Sequence, residues 1–65
     1  MIDLKEYTKE NNGKNVLIST LSGKVEGVLY STKTDPQGNV DTLVIKQYLH
    51  RTEVPAREIL NIRIL

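Results

Sequence analysis

The sequence predicts a mainly β protein, in which a short N-terminal helix is followed by a five-stranded, strongly bent small barrel. The prediction depends on the segment from residue 15 to residue 39, which reads as a strand, a tight turn, a second strand containing glycine, and a loop built on Asp-Pro-Gln-Gly-Asn. Further runs of alternating apolar residues follow, and alternation with a period of two residues is typical of half-buried strands. In so short a chain, this order favours a single bent barrel.

The chain has 65 residues, so we interpret it as one domain, with the helix in residues 1–12 and the barrel in residues 14–65. A chain of this size buries only about 60% of the surface that it exposes when unfolded. Small domains therefore often need disulfides, a metal or self-association. The sequence contains no cysteine and one histidine, which predicts no disulfide, no metal site and no cofactor. A homo-oligomer is the remaining way to bury more surface.

The charges nearly balance, since the chain contains nine basic and eight acidic residues. A net charge of +1 disfavours a dedicated binder of duplex DNA, which normally presents a strongly basic face. The first ten residues lack the apolar core of a signal peptide, and no run approaches the roughly 20 apolar residues of a membrane span. We therefore expect a cytoplasmic protein that does not associate with membranes.

The helix is predicted over residues 3–10, with Asp3 as its N-cap and Glu6 at the capping-box spacing. Ile2 and Tyr7 are spaced to form a hydrophobic staple around that cap. A helix of about two turns is not stable alone. We therefore expect it to lie across the barrel and to cover one open end.

The first two strands are predicted at residues 15–21 and 24–31, joined by a two-residue turn at Ser22-Gly23. Both faces of the first strand carry apolar residues, which predicts burial on both sides. Gly27 interrupts the second strand, where glycine is costly unless the backbone bends or another chain segment approaches closely. A small barrel requires such a bend.

The second half of the chain contains a turn at residues 35–38, in which Gly38 takes the position that needs a positive φ. Pro55 cannot donate to a ladder and ends a strand, and the four residues that begin with it predict a single 3₁₀ turn. The three remaining strands are predicted at residues 40–47, 48–54 and 59–65. One helix and five strands in this order are typical of SH3-like and Sm-like barrels.

Several segments carry a family resemblance. A helix leads into residues 13–16, and residues 21–29 combine an apolar strand, a glycine turn and a second glycine that bends the next strand. Asp35 and Asn39 follow, and residues 55–59 form a short turn before the last strand. Over almost the whole chain, this pattern resembles the Sm-like proteins, which include the Hfq-type RNA chaperones of bacteria. The resemblance implies a homo-oligomeric ring that binds single-stranded RNA at its pore face.

The same resemblance implies the residues that contact RNA. Two loops converge at the pore, where Asn39 would hydrogen-bond a base edge and Asp35 would orient Asn39. Gln37 takes the position at which many Sm-like proteins carry a histidine or an aromatic residue that stacks on a base. Arg57 would stack on a base or contact a phosphate. The alternative interpretation is local, because Asp and Asn are common turn residues and an arginine in a turn is often simply solvated.

His50 and Arg51 lie on the predicted fourth strand with Tyr48 and Lys46 nearby, and such a basic and aromatic strip can contact RNA. The same residues also fit the solvent face of an edge strand, where charges reduce aggregation. No catalytic residues are predicted. The serines have only His50 as a candidate base, and no strand-turn-helix elbow presents any of them. We therefore expect a binding protein rather than an enzyme.

A second resemblance leads to an alternative function. Residues 35–38, residues 43–45, the pair Val54-Pro55 and Ile59 are similar to the pattern of PRC-barrel domains, most of which are adaptors that dock protein partners. The near-neutral charge and the absence of the arginine-glycine pair of the second Sm-like motif favour this alternative. It is a non-enzymatic protein-binding barrel, either a PRC-like adaptor or a small regulator that docks on a larger machine.

Overall fold

The computed structural model describes residues 3–65. It confirms the predicted mainly β architecture of one short helix followed by five strands, which form a single antiparallel sheet in the order β4–β3–β2–β1–β5. The elements are α1 (Leu4–Glu10), β1 (Asn15–Thr20), β2 (Gly23–Thr34), β3 (Val40–Gln47), β4 (His50–Pro55), a 3₁₀ turn η1 (Ala56–Glu58) and β5 (Ile59–Ile64).

The prediction that the sheet closes into a barrel is wrong. Closure requires the first and last strands of the sheet to pair, but β4 pairs only with β3, and β5 pairs only with β1, over residues 3–65. The reason is the path of the chain after β4. The turn η1 carries it to the free side of β1, where Thr20 pairs with Ile59 and Val16 with Ile64. Both β4 and β5 therefore keep one unpaired edge.

The core lies on one face of the bent sheet, which we call the inner face. Three strands, β1, β2 and β3, contribute the side chains that are buried completely, namely Val16, Ile18, Leu29, Leu43 and Ile45. Val54 and Ile62 extend this cluster, and Leu4 and Tyr7 of α1 pack against it. Burial of each such side chain contributes about 1.5–3 kcal/mol. The helix is thus held by its contacts with the core, as expected for an element too short to be stable alone.

The N-cap of α1 is confirmed. A side-chain oxygen of Asp3 accepts hydrogen bonds from the backbone amides of Lys5 and Glu6, at 3.1 and 3.3 Å. These bonds satisfy amides that have no partner inside a helix, which is why α1 begins at Leu4. The predicted staple between Ile2 and Tyr7 involves a residue outside the described part of the chain.

The prediction that β1 is buried on both of its faces is wrong. Val16 and Ile18 on the inner face are fully buried, whereas Leu17 on the opposite, outer face is only half-buried. The turn that follows is also displaced by one residue. Thr20 pairs with Gly23, so the two-residue turn is Leu21-Ser22 instead of Ser22-Gly23. The Thr20 hydroxyl accepts from the Ser22 amide (3.2 Å) and donates to the Gly23 carbonyl (2.7 Å), which stabilises this register.

Tyr48 and Leu49 were predicted to begin the fourth strand, and this is wrong as well. Gln47 of β3 pairs with His50 of β4, so these two residues form the turn of the β3–β4 hairpin. Their side chains are 97% and 83% exposed. The turn contains none of the glycine, asparagine or proline residues that mark most tight turns. It therefore gave no signal in the sequence.

Gly27 lies where β3 passes very close to β2. A Cβ atom at this position would lie 2.4 Å from Cγ2 of Ile45 and 2.8 Å from the backbone oxygen of Lys46. Contacts this short do not occur in folded proteins, so glycine is required here. Three residues later the β2–β3 register shifts between Leu29 and Ser31, which leaves Tyr30 as the extra residue of a β-bulge. A bulge increases the local bend and twist of its strand.

Candidate nucleic-acid interface

The β2–β3 loop is organised by one carboxylate. Oδ1 of Asp35 accepts hydrogen bonds from the backbone amides of Gln37 and Asn39, each at 2.9 Å. The Asp35 amide donates to the Asn39 carbonyl at 2.8 Å, and Gly38 has a φ of 88°, as the turn chemistry predicted. Asp35 therefore holds the backbone of Asn39. No hydrogen bond among residues 3–65 joins the side chains of Asp35 and Asn39.

The tip of this loop presents two amide side chains to solvent. Gln37 and Asn39 are both exposed, and within the part of the chain that the structure describes neither side chain takes part in a hydrogen bond. Each amide group offers two donors and one acceptor oxygen. The loop thus holds these groups at fixed backbone positions and leaves them free to bind a ligand such as a base edge.

Arg57 of η1 projects from the same end of the sheet. Thr34 pairs with Val40 where the β2–β3 loop begins and ends, and Thr42, two residues further along β3, pairs with Pro55. The chain enters η1 directly after Pro55, so the β2–β3 loop and η1 share this end, which we call the loop end. Arg57 is exposed, and it forms no ion pair with any residue from 3 to 65.

His50 and Arg51 lie far from the loop end. They begin β4, whereas Pro55 ends it, and five residues of strand correspond to about 17 Å. The six sequence-predicted site residues therefore fall into two groups. Asp35, Gln37, Asn39 and Arg57 lie at the loop end, while His50 and Arg51 lie beside the β3–β4 turn.

Arg51 belongs to a cluster that the sequence only partly indicated. Cζ of Arg51 lies 4.7 Å from the centroid of the Tyr30 ring, and Nζ of Lys46 lies 5.0 Å from the same centroid. We call these three residues the Tyr30 patch. Lys46 and Arg51 are direct partners across β3 and β4. Tyr30, on β2, is not among the sequence-predicted site residues, because the register of β2 against β3 cannot be read from local sequence.

The β3–β4 hairpin, which supplies two of the three residues of the Tyr30 patch, is positively charged around its turn. Residues 42–52 contain Lys46, His50 and Arg51 and no acidic residue. The nearest acidic residue of β4 is Glu53, whose carboxylate pairs with Nζ of Lys33 at 2.6 Å. This is the sole ion pair within residues 3–65, so the two cations of the patch have no carboxylate partner there.

Large apolar side chains are exposed along the free edges of the sheet. Leu60 is 66% exposed, and Ile64 and Leu65 at the end of β5 are 42% and 57% exposed. Tyr48 and Leu49 immediately precede β4. A monomer with both edges uncovered leaves these apolar groups and a row of backbone hydrogen-bonding groups in water, which is typical of strands that pair with another chain.

Two kinds of feature are absent from the part of the chain that the structure describes. The helix α1 has seven residues, and no helix between residues 3 and 65 is long and apolar enough to cross a membrane. No group of three or more metal-ligating side chains occurs among the same residues. Comparisons with protein-family models, with curated proteins and with solved structures find no significant match.

Proposed function

We propose that the protein is an Sm-like RNA-binding protein that assembles into a ring of identical copies and binds single-stranded RNA at the loop end. The observation that carries this proposal is the strand order, because it leaves β4 and β5 as the two free edges of one sheet. If β4 of one copy pairs with β5 of the next, every copy uses both edges. Such a head-to-tail contact forms a ring when the rotation between copies closes.

The exposed apolar residues support this contact. In an antiparallel pairing, the start of β4 lies beside the end of β5 in the neighbouring copy. Tyr48 and Leu49 of one copy then meet Ile64 and Leu65 of the next. Burial of apolar surface contributes roughly 25 cal/mol per Å², so this contact adds stability to the backbone hydrogen bonds between the edges. It also provides the additional burial that a 65-residue domain needs.

The loop end supports RNA as the ligand. The free amide groups of Gln37 and Asn39 can hydrogen-bond base edges, and the planar guanidinium of Arg57 can bind a phosphate or stack on a base. In a ring, the loop ends of all copies surround one axis. Several weak contacts with a single RNA strand then act together, since binding at one copy raises the effective concentration of RNA at the next.

The first test is size-exclusion chromatography with light scattering, combined with the ratio of absorbance at 260 and 280 nm. The chain has three tyrosines and no tryptophan, so bound nucleic acid dominates this ratio. We expect an assembly of about five to seven copies that carries nucleic acid. A monomer at high protein concentration would contradict the assembly.

Two variants separate the parts of the proposal. Ile64→Lys places a charge in the contact between copies, and we expect it to lower the assembly mass. Asn39→Ala combined with Arg57→Ala removes loop-end contacts, and we expect an unchanged mass with RNA binding weakened about tenfold or more, as for a loss of about 1.4 kcal/mol. Lys24→Ala is the control, because Lys24 is an exposed cation of β2, which is neither an edge strand nor part of the loop end.

A specific observation also favours the second candidate function, a non-enzymatic protein-binding domain. Tyr48 and Leu49 are 97% and 83% exposed at the tip of a hairpin, which suits a hydrophobic pocket on a larger partner. This candidate predicts a monomer or dimer without nucleic acid. It also predicts that Leu49→Ser abolishes partner capture, whereas in the ring proposal the same variant weakens self-association. Both candidates are binding proteins rather than enzymes.

A further inference from the structure

We infer that the Tyr30 patch is a second binding site for single-stranded nucleic acid, on the outer face of β2, β3 and β4 and separate from the loop end. The inference takes its class of ligand, RNA, from the proposed function. It requires neither the ring nor the loop residues, because all three side chains of the patch come from one copy. A monomer therefore carries the complete site.

The first argument is the convergence of like charges. Lys46 and Arg51 both lie within 5.0 Å of one phenol ring, and neither has a carboxylate partner among the described residues. Repulsion between two such cations is offset partly by the negative face of the tyrosine ring. Glu53, which follows Arg51 by two residues on β4, is occupied by Lys33. The patch therefore retains positive charge that a phosphate group can neutralise.

The second argument is that the patch is held in position before a ligand arrives. Tyr30 is the extra residue of the β-bulge, and its backbone oxygen accepts a hydrogen bond from the side chain of Asn12 in the segment after α1. Lys46 and Arg51 are partners in the β3–β4 ladder. Contact with the ring limits the freedom of both long side chains. These side chains therefore lose less conformational entropy on binding than lysine and arginine side chains that move freely in solvent.

The third argument identifies the ligand. Arg51 is exposed, so the side of its guanidinium away from Tyr30 is available for a base to stack. Cations combined with aromatic platforms are the recurring composition of sites for single-stranded nucleic acid. A phosphodiester strand supplies both the anion and the flat bases, whereas an acidic peptide or a phospholipid headgroup supplies the anion alone.

The test measures the binding of a fluorescently labelled single-stranded RNA of 12 nucleotides by anisotropy, over a series of salt concentrations. We expect Arg51→Gln and Tyr30→Leu each to weaken binding by at least about fivefold, as for the loss of a stacking contact. Arg51→Gln should also reduce the slope of log K against log salt by about 0.7, the value for one phosphate contact on a single strand. Arg51→Lys, which retains the charge but not the planar group, should restore the slope and not the affinity.

Lys24→Gln is the matched control, since Lys24 is an exposed cation of β2 outside the patch. We expect it to bind RNA like the unmodified chain, and circular dichroism verifies that every variant is folded. Equal binding by the Arg51→Gln, Tyr30→Leu and Lys24→Gln variants would overturn the inference. So would binding to anionic phospholipid vesicles that depends on Arg51 without any binding to RNA.

The failure of this inference is distinguishable from the failure of the proposed function. If patch variants bind normally and the Asn39 and Arg57 double variant does not, the loop end alone binds RNA and the patch inference is wrong. If light scattering shows a monomer that binds RNA through Arg51 and Tyr30, the patch inference stands and the ring proposal is wrong.

Discussion

Substitution of Gly27 by alanine or valine tests the close approach of β3 to β2 at this position. Alanine adds the Cβ atom, which would lie 2.4 Å from Cγ2 of Ile45, 2.8 Å from the backbone oxygen of Lys46 and 3.2 Å from Cγ of Gln47. Carbon atoms pack without repulsion at roughly 3.5–4.0 Å, so the new atom overlaps its neighbours by about 1 Å. Ile45 is completely buried, and the Lys46 oxygen belongs to the backbone of β3. Neither can move without disturbing the core or the ladder.

The expected cost follows from these contacts. Overpacking of a well-packed site costs about 1–3 kcal/mol, whereas removal of a glycine from a strand returns about 0.5–1 kcal/mol. We therefore expect Gly27→Ala to lower the free energy of unfolding by about 1–2 kcal/mol, and Gly27→Val, which adds two more methyl groups, by about 3 kcal/mol. For a domain of this size, 1 kcal/mol corresponds to roughly 4–8 °C in Tm.

The assay is thermal and urea denaturation followed by circular dichroism at one protein concentration, with the assembly state checked by light scattering. Glu26→Ala is the control, because Glu26 is an exposed neighbour in the same strand and its substitution should change stability by less than about 0.5 kcal/mol. The sign of the alanine effect is decisive. If Gly27→Ala raised Tm, the space beside Gly27 would be open and the close approach of β3 would be absent.

Two further predictions concern polar contacts. Asp35→Ala removes the acceptor of two loop amides, so we expect it to lower the free energy of unfolding by about 1 kcal/mol in urea denaturation. The same variant should weaken RNA binding at the loop end, measured by anisotropy, because the backbone of Asn39 is no longer held. Lys33→Gln breaks the ion pair with Glu53, in which the two side chains are 57% and 55% exposed. We expect this variant to lower the free energy of unfolding by less than about 1 kcal/mol in urea denaturation, and by less at high salt.

Each of these predictions has its own control. Asp35→Asn retains an acceptor oxygen and should recover most of the stability that Asp35→Ala loses; equal losses in both variants would show that the loop depends on the charge instead of on the hydrogen bonds. For the ion pair, Glu53→Gln should match Lys33→Gln, and the double variant should be no less stable than either single variant. If Lys33→Gln lowered the free energy of unfolding by more than about 2 kcal/mol, Lys33 would have to stabilise the sheet through further contacts besides the ion pair.

The elements that the sequence predicted well carry strong local signals. Asp3 before α1, Gly38 in its turn and Pro55 before η1 each act through backbone chemistry within a few residues, and all three occupy the predicted roles. The β3–β4 turn, which was predicted wrongly, lacks such a signal. The Tyr48-Leu49 turn contains no turn-forming residue, so two strand-like side chains were assigned to β4.

The site was predictable to a lesser degree. The loop-end residues could be selected from the sequence, because the turn at Asp35 and the 3₁₀ turn around Arg57 are local features. The Tyr30 patch could not be assembled in this way. It depends on the bulge in β2 and on the pairing of Lys46 with Val28 and Arg51, and strand register is a property of two segments that are distant in the chain.

The helix, the number of strands and the turns at Asp35 and Pro55 were predictable from the sequence, because they depend on the periodicity and backbone preferences of neighbouring residues. The open sheet, in contrast, is a property of the tertiary fold. Whether β5 pairs with β4 or only with β1 depends on where η1 directs the chain, and no local pattern encodes this choice. That choice leaves two free edges on each copy, and the proposed assembly depends on them.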